Sequence, residues 1–187
     1  MNLQSYQRLI IGYHGCDAKV ADQVIRTGGF LQPSENAYDW LGSGIYFWEF
    51  GPERAMEWAS EHHLEPAVVG ALIQLGTCFD LLDRRNTAIL SSAFEEYRQK
   101  MQHQGKDLPV NWSGPDLLRR NRDCAFLNWL LKSIDKISAV RFQTVRGVFQ
   151  EGGPAFQGSG IHAKSHIQVA VRDPTCILGY FKPTSTS

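Results

Sequence analysis

The sequence predicts an α+β domain built on a split, mainly antiparallel β-sheet with flanking helices. Three observations carry that expectation. β-branched and aromatic runs fall early and late in the chain, helical spacing dominates its middle, and glycine-rich turns separate the two kinds of segment. At 187 residues and 43% hydrophobic composition, a single domain with one core is expected over 1–187, with 183–187 as a loose tail.

Residues 9–13 read as an opening strand that ends at His14-Gly15. Asp17 is placed to cap a helix running to Thr27, with Val20, Val24 and Ile25 on one face and Gly28-Gly29 as its stop. Residues 31–39 contain Pro33, Ser34, Glu35 and Asn36 and have the composition of a loop. Gly42-Ser43-Gly44 then turns the chain into a strand over 45–48. Gly51-Pro52-Glu53 opens a helix, with proline at its first position, that runs through Ala55, Trp58 and Ala59 to about His62. A buried strand follows over 67–75, and 78–83 leads out of it. The longest helix is expected over 86–103, where Ile89, Leu90, Ala93, Phe94 and Tyr97 recur at helical spacing. After a loop over 105–115, a shorter helix is expected over 123–132. Strands over 144–150, 167–171 and 176–181 close the chain. Between the first two, 152–160 is too rich in glycine for regular structure, and its length suggests a functional surface loop.

Composition removes several function classes. Lys plus Arg and Asp plus Glu are both 19, so no basic excess draws the chain onto nucleic acid or an anionic membrane. The first eight residues are polar and lack a secretory core, and no apolar run approaches the roughly 18 residues of a membrane span. Cys16, Cys78, Cys124 and Cys176 are far apart and form no Cys-x-x-Cys pair. Reduced thiols and a cytoplasmic location are therefore expected, with two disulfides as the alternative. His62-His63 have no partner at metal-ligand spacing, so no metal site is expected. Gly42-x-Gly44 precedes a strand and lacks the third glycine of a dinucleotide fingerprint. Cys16 is near His14 in sequence, but two residues along a strand end do not hold a thiol against a base. Arg119, Arg120 and Arg122 form a short basic cluster, read either as a solvated face or as a phosphate contact.

Three separated segments stand out: Tyr13-His14-Gly15-Cys16, Gly42-Ser43-Gly44-Ile45-Tyr46-Phe47 and Ser165-His166-Ile167-Gln168-Val169. Together they resemble the His-Tyr-Glu branch of ADP-ribosyltransferases, which includes poly(ADP-ribose) polymerase catalytic domains and diphtheria-toxin-like toxins. The likeness covers about residues 9–181 and implies that family's fold and NAD as substrate. It implies that His14 binds the adenosine-side ribose, that Gly15 pairs its backbone with the nicotinamide amide, and that Tyr46 stacks on the nicotinamide. Ser43 and Gly44 are implied to let backbone approach the dinucleotide. Ala55 and Trp58 resemble the small and aromatic residues of the family's next helix, with the aromatic displaced by about one position. Breaking the nicotinamide–ribose bond passes through an oxocarbenium-like state, so such a site must orient ribose and stabilise positive charge.

The third element departs from the family, which places a glutamate where this chain has Gln168. An amide donates and accepts hydrogen bonds but carries no charge and takes no proton at neutral pH. The departure disfavours chain elongation and leaves mono-transfer, NAD cleavage or NAD binding. Glu151, at the start of the glycine-rich loop, is the candidate for a substitute carboxylate. The family uses that loop to contact its target, which makes Phe156 and Gln157 candidates for acceptor binding. A small enzyme of this branch resembles a bacterial toxin paired with an antitoxin protein, or a phage-defence effector, modifying protein or nucleic acid.

Each residue also has a plainer reading. His14 is then a partly buried histidine bonded to backbone, Tyr46 and Trp58 are core aromatics, Gln168 is a polar residue on a half-solvated strand, and Glu151 is a solvated turn residue. Two other functions compete with transfer: an inactive module of the same fold that binds NAD, ADP-ribose or a partner, and an RNA-binding or RNA-modifying protein of unrelated mechanism.

Overall fold

A computed structural model describes residues 6–112, 119–139 and 141–184. Residues 185–187 of the expected tail and 113–115 at the end of the expected loop lie outside them. The chain is α+β, with a seven-stranded sheet in the order β4-β5-β6-β2-β1-β3-β7. Its strands are β1 (Tyr6–Asp17), β2 (Ile45–Glu49), β3 (Pro66–Gly76), β4 (Cys78–Asp80), β5 (Thr144–Phe149), β6 (His166–Val171) and β7 (Ile177–Phe181). Among the described strands, only β4 and β5 pair in parallel. The helices are α1 (Ala18–Thr27), α2 (Pro52–His62), α3 (Arg84–Thr87), α4 (Leu90–His103) and α5 (Asn121–Ile137).

The punctuation read from the sequence operates as expected at α1. Asp17 accepts a hydrogen bond from the Lys19 N–H, and Gly28 ends the helix in the left-handed region at φ 67°. The middle of the chain differs from expectation. The helix expected over 86–103 is two pieces, because Asp83 caps an earlier turn through the Arg85 N–H and α3 stops before Ile89 starts α4. The longest helix is α5, with 17 residues against 14 in α4. Leu127, Leu130 and Leu131 are its buried stripe, and Ile134 extends the stripe beyond the expected end at 132.

The sheet is continuous where a split was expected, and its narrowest join lies at the centre. β1 and β3 pair along nearly their whole length, from Tyr6↔Gly76 to Asp17↔Pro66. β1 and β2 meet only at Gly12↔Glu49 and Tyr13↔Trp48. A buried ion triad reinforces the outer side of that join. Arg146 on β5 donates to both oxygens of Glu49, at 2.6 and 3.0 Å, and to Asp80 Oδ2 at 3.1 Å. It thereby ties β4 and β5 to the end of β2.

Side chains alternate across the sheet, so each face has its own cover. Ile10, Cys16, Phe47, Val69 and Val169 pack with Ala21 and Val24 of α1 on one face. On the other, Phe79, Val145 and Ala170 pack with Tyr97 of α4 and with Phe126 and Leu130 of α5. Gly15 points opposite to Cys16, and a Cβ there would lie 2.2 Å from the Ala55 carbonyl oxygen. Helix α2 therefore crosses β1 on the same face as α5, and the centre of the sheet lies between them. The four cysteines are buried and unbonded to one another. No helix among the described residues is long and apolar enough to cross a membrane.

Candidate functional site

The register of β1 and β2 defines the centre of the candidate site. Ile11 accepts a hydrogen bond from the Phe50 N–H at 3.0 Å, so its backbone faces β2. Alternation then points the N–H and C=O of Tyr13 and Gly15 the same way. Tyr13 meets Trp48, but the next pair, which would set Gly15 against Tyr46, is not formed. The strands part there, and Gly15 presents a donor and an acceptor to the gap.

His14 spans the same gap. Its Nδ1 lies 2.8 Å from the Tyr46 carbonyl oxygen. A carbonyl only accepts, so Nδ1 carries the proton and Nε2 of the neutral ring is left as an acceptor. Burial lowers the His14 pKa below its ordinary 6.5, against the opposing effect of the Tyr46 carbonyl. The neutral tautomer is thus the resting one.

Tyr46 is anchored at its far end. Its hydroxyl donates to the Gly42 carbonyl at 2.8 Å and accepts from the Leu41 N–H at 3.0 Å. Burial raises its pKa well above the usual 10, with the Asp39 carboxylate adding to the shift. The phenol is therefore a fixed neutral ring, suited to stacking and not to proton transfer.

The glycine turn itself serves the fold more than a ligand. Gly42 adopts φ 82°, and a Cβ there would press on Asn128 Oδ1 at 2.8 Å. That oxygen accepts from the Ser43 N–H at 2.9 Å. Gly44 exchanges both backbone bonds with Ser34, at 2.8 and 3.1 Å. The Ser43 N–H and the Gly44 backbone groups are therefore occupied inside the protein. The expected backbone approach is available at Gly15.

Gln168 lies on the same sheet face as Tyr46, since β2 and β6 set Tyr46 opposite Ala170 and Trp48 opposite Gln168. Its Oε1 accepts from Trp40 Nε1 at 2.7 Å, and its Nε2 lies 3.1 Å from His166 Nε2. Trp48 packs between His166 and Trp58, with ring centroids 6.2 Å from each. Trp58 is exposed and stacks on His62 of its own helix at 4.2 Å, so it borders the site beside Trp48 instead of capping Tyr46. The Trp48 and Arg54 Nε–H donors nearby are buried without a partner.

Glu151 is not a free carboxylate. Arg54 binds it at 2.6 Å, and Arg54 also bonds Glu57, which Lys164 meets at 3.3 Å. His166 Nδ1 is 3.8 Å from Glu151. Phe156 and Gln157 are exposed on the loop beyond it. That loop is tied at its neck by the Pro154↔His162 bridge.

Cys16 is no nucleophile, because burial pushes its thiol up to about 11. Of the basic cluster, Arg119 lies over the Tyr38 ring, Arg120 over Phe149, and Arg122 donates to the Pro109 carbonyl. Among the described residues no group of three or more His, Cys, Asp or Glu side chains is placed to hold a metal ion. A cavity of about 400 Å³ between α4 and α5, lined by Leu90, Phe94 and Phe126, shares only Trp40 with the residues above. Sequence reasoning passed over Trp40, Asn128, Arg54 and His166. For His166 a signal existed, since two residues apart on one strand means the same face as Gln168.

Two neutral buried histidines set a pH dependence. Burial also lowers the His166 pKa below 6.5, with the Arg54 charge acting the same way and Glu151 opposing it. The folded-state values of both lie below the unfolded value, so the unfolded chain takes up protons first as pH falls. Stability should therefore be flat above about pH 6.5 and decline below it. Thermal melts between about pH 7.5 and pH 5 check this, and a midpoint constant across that range would contradict the neutral assignment.

No protein-family model, curated protein or solved structure matches the chain.

Proposed function

We propose that the chain is an NAD-dependent mono-ADP-ribosyltransferase. The observation that carries the reading is the opening between β1 and β2, where Gly15 offers a backbone donor and acceptor next in sequence to a neutral His14 whose Nε2 is left as an acceptor. A carboxamide needs such a donor–acceptor pair, and a flat ring needs a fixed aromatic such as Tyr46. In this reading Gly15 holds the nicotinamide amide, Tyr46 stacks on its ring, His14 Nε2 accepts from a ribose hydroxyl, and Gln168 orients the other ribose. Glu151 is outside that set because Arg54 already neutralises it.

The uncharged Gln168 gives less help to a developing cation than a carboxylate would, which favours transfer of a single unit. The loop bearing Phe156 and Gln157 is the acceptor side, facing protein or nucleic acid. The biological setting proposed is a bacterial toxin or phage-defence effector, held in check by an antitoxin protein and acting in the cytoplasm.

Incubating the protein and a cell extract with labelled NAD should mark macromolecules, and nuclease or protease digestion of the product identifies the acceptor class. His14→Ala should lower the labelling at least about tenfold through the lost ribose contact, and should relieve any growth defect on expression. A wild-type protein that neither labels a target nor binds NAD would sink the reading. The second reading, an inactive NAD-binding or partner-binding module, is favoured by Gln168 having both ends of its amide engaged within the protein. NAD binding without nicotinamide release would select it.

A further inference from the structure

We infer that Trp40 and His166 are positioning residues, which hold the Gln168 amide in one orientation and leave one N–H and one oxygen lone pair for a ribose diol. The assignment of a ribose to Gln168 rests on the function proposed above. The hydrogen-bonded chain itself rests on donor and acceptor chemistry alone.

Its two ends leave no freedom. An indole Nε1–H can only donate, so the Gln168 atom 2.7 Å from Trp40 must be the carbonyl oxygen. The amide nitrogen then faces His166 Nε2 at 3.1 Å. Since that nitrogen bears only hydrogens, His166 Nε2 must accept and is unprotonated. The proton sits on Nδ1, which lies 2.8 Å from the Lys164 carbonyl oxygen, a group that can only accept. A donor-only group at one end and an acceptor-only group at the other thus fix the tautomer of His166 and the rotamer of Gln168 together. The His166 side chain is only 6% exposed, and the rings of Trp48 and Phe149 flank it at 6.2 and 5.5 Å.

Protonating His166 would set an Nε2–H against the amide N–H. The amide cannot turn over to relieve this, because its NH2 would then meet the Trp40 N–H. The charged groups facing His166 are Glu151 at 3.8 Å from Nδ1 and, behind it, Arg54 of α2, whose charge opposes protonation. The chain also accounts for what a carboxylate would do at this position. In Gln168→Glu, one oxygen still accepts from Trp40, but the other faces the Nε2 lone pair. The repulsion is relieved when the pair takes up one proton, which at the imidazole gives an ion pair. The amide is therefore the form that matches a neutral His166.

The test uses the isotope-labelled full chain, with NAD as the probe in its second arm. In the free protein, His166 should be observed as the Nδ1–H tautomer. As pH falls, the Trp40 indole and Gln168 side-chain amide signals should shift with one common midpoint below 6.5, the ordinary histidine value. Gln168→Glu should move the His166 midpoint up by about 1–3 units. An Nε2–H tautomer, or separate midpoints for Trp40 and Gln168, would overturn the chain.

In the second arm, His166→Phe should reduce nicotinamide release about tenfold by removing the acceptor. His166→Gln, whose carbonyl can accept from Gln168 but does not titrate, should restore most of that loss and remove the share of the acid limb due to residue 166, leaving the share due to His14. Equal loss in both variants would overturn the positioning role. A wild-type protein with the coupled titration but no NAD binding would overturn the proposed function while the hydrogen-bonded chain stood.

Discussion

Arg146→Ala is expected to lower the free energy of unfolding by about 3–5 kcal/mol, read as a fall in the midpoint of urea denaturation at neutral pH. The side chains of Arg146, Glu49 and Asp80 are only 6%, 9% and 5% exposed. Removing the guanidinium leaves two carboxylates in a site that water barely reaches, each losing its charged partner. The cost is that of stranding them and not the net worth of the triad. The sign of its pH dependence follows. Unpartnered buried carboxylates have folded pKa values above their unfolded ones, so the variant should regain part of its stability as pH falls through those raised values. A deficit below about 1 kcal/mol, or one that grows steadily on acidification, would mean that the triad is not buried as described. Activity should fall with stability, because Glu49 holds one of only two residue pairs joining β1 to β2.

Gly15→Ala should be nearly as damaging, at about 3 kcal/mol, and it acts directly at the gap. A Cβ at residue 15 would lie 2.2 Å from a backbone carbonyl oxygen of α2 and 3.2 Å from the Ala59 side chain. A flexible side chain could rotate away from such a contact, but a helix carbonyl cannot. Helix α2 must therefore lift from β1 by about 1 Å to reach ordinary van der Waals distance. The added methyl and the lift both reshape the gap at Gly15, so on the function proposed above NAD binding should drop along with the melting temperature. Because the obstacle is a main-chain oxygen, no replacement of Ala55 should rescue the variant. A Gly15→Ala protein with wild-type melting temperature and α2 in place would refute this account.

Much of the architecture was legible where local chemistry alone decides the outcome. Asp17 and Gly28 bound α1, Pro52 opens α2, and the apolar runs become strands, because caps, proline and alternation act within a few residues. The interior of the chain was less legible. The break between α3 and α4 depends on Asp83 capping the earlier turn, while the apolar spacing that follows runs on without a signal.

The candidate site was legible as a set of segments but not as a set of contacts. His14, Tyr46 and Gln168 stand out in sequence, yet their hydrogen-bond partners come from residues 32, 5 and 128 positions away. The double glycine around Ser43 suggested an approach to a ligand. The structure gives those positions to Asn128 and Ser34, which are brought near only by tertiary packing. Trp58 likewise lies where α2 carries it, and there its i, i+4 spacing from His62, legible in the expected helix, accounts for the stacking of the two rings.

The narrow join between β1 and β2 has a mechanical consequence. The short edge divides the strands into two plates, β1, β3 and β7 on one side and β2, β6, β5 and β4 on the other, with the core under α1 packed across both. The gap has one wall from each plate, Gly15 from the first and Tyr46 from the second. Anything held there senses the angle between the plates as well as the atoms that touch it. Residues behind the two walls, such as Ala55 of α2 packed against Gly15 and Asn128 of α5 packed against Gly42, therefore bear on affinity through the walls they support.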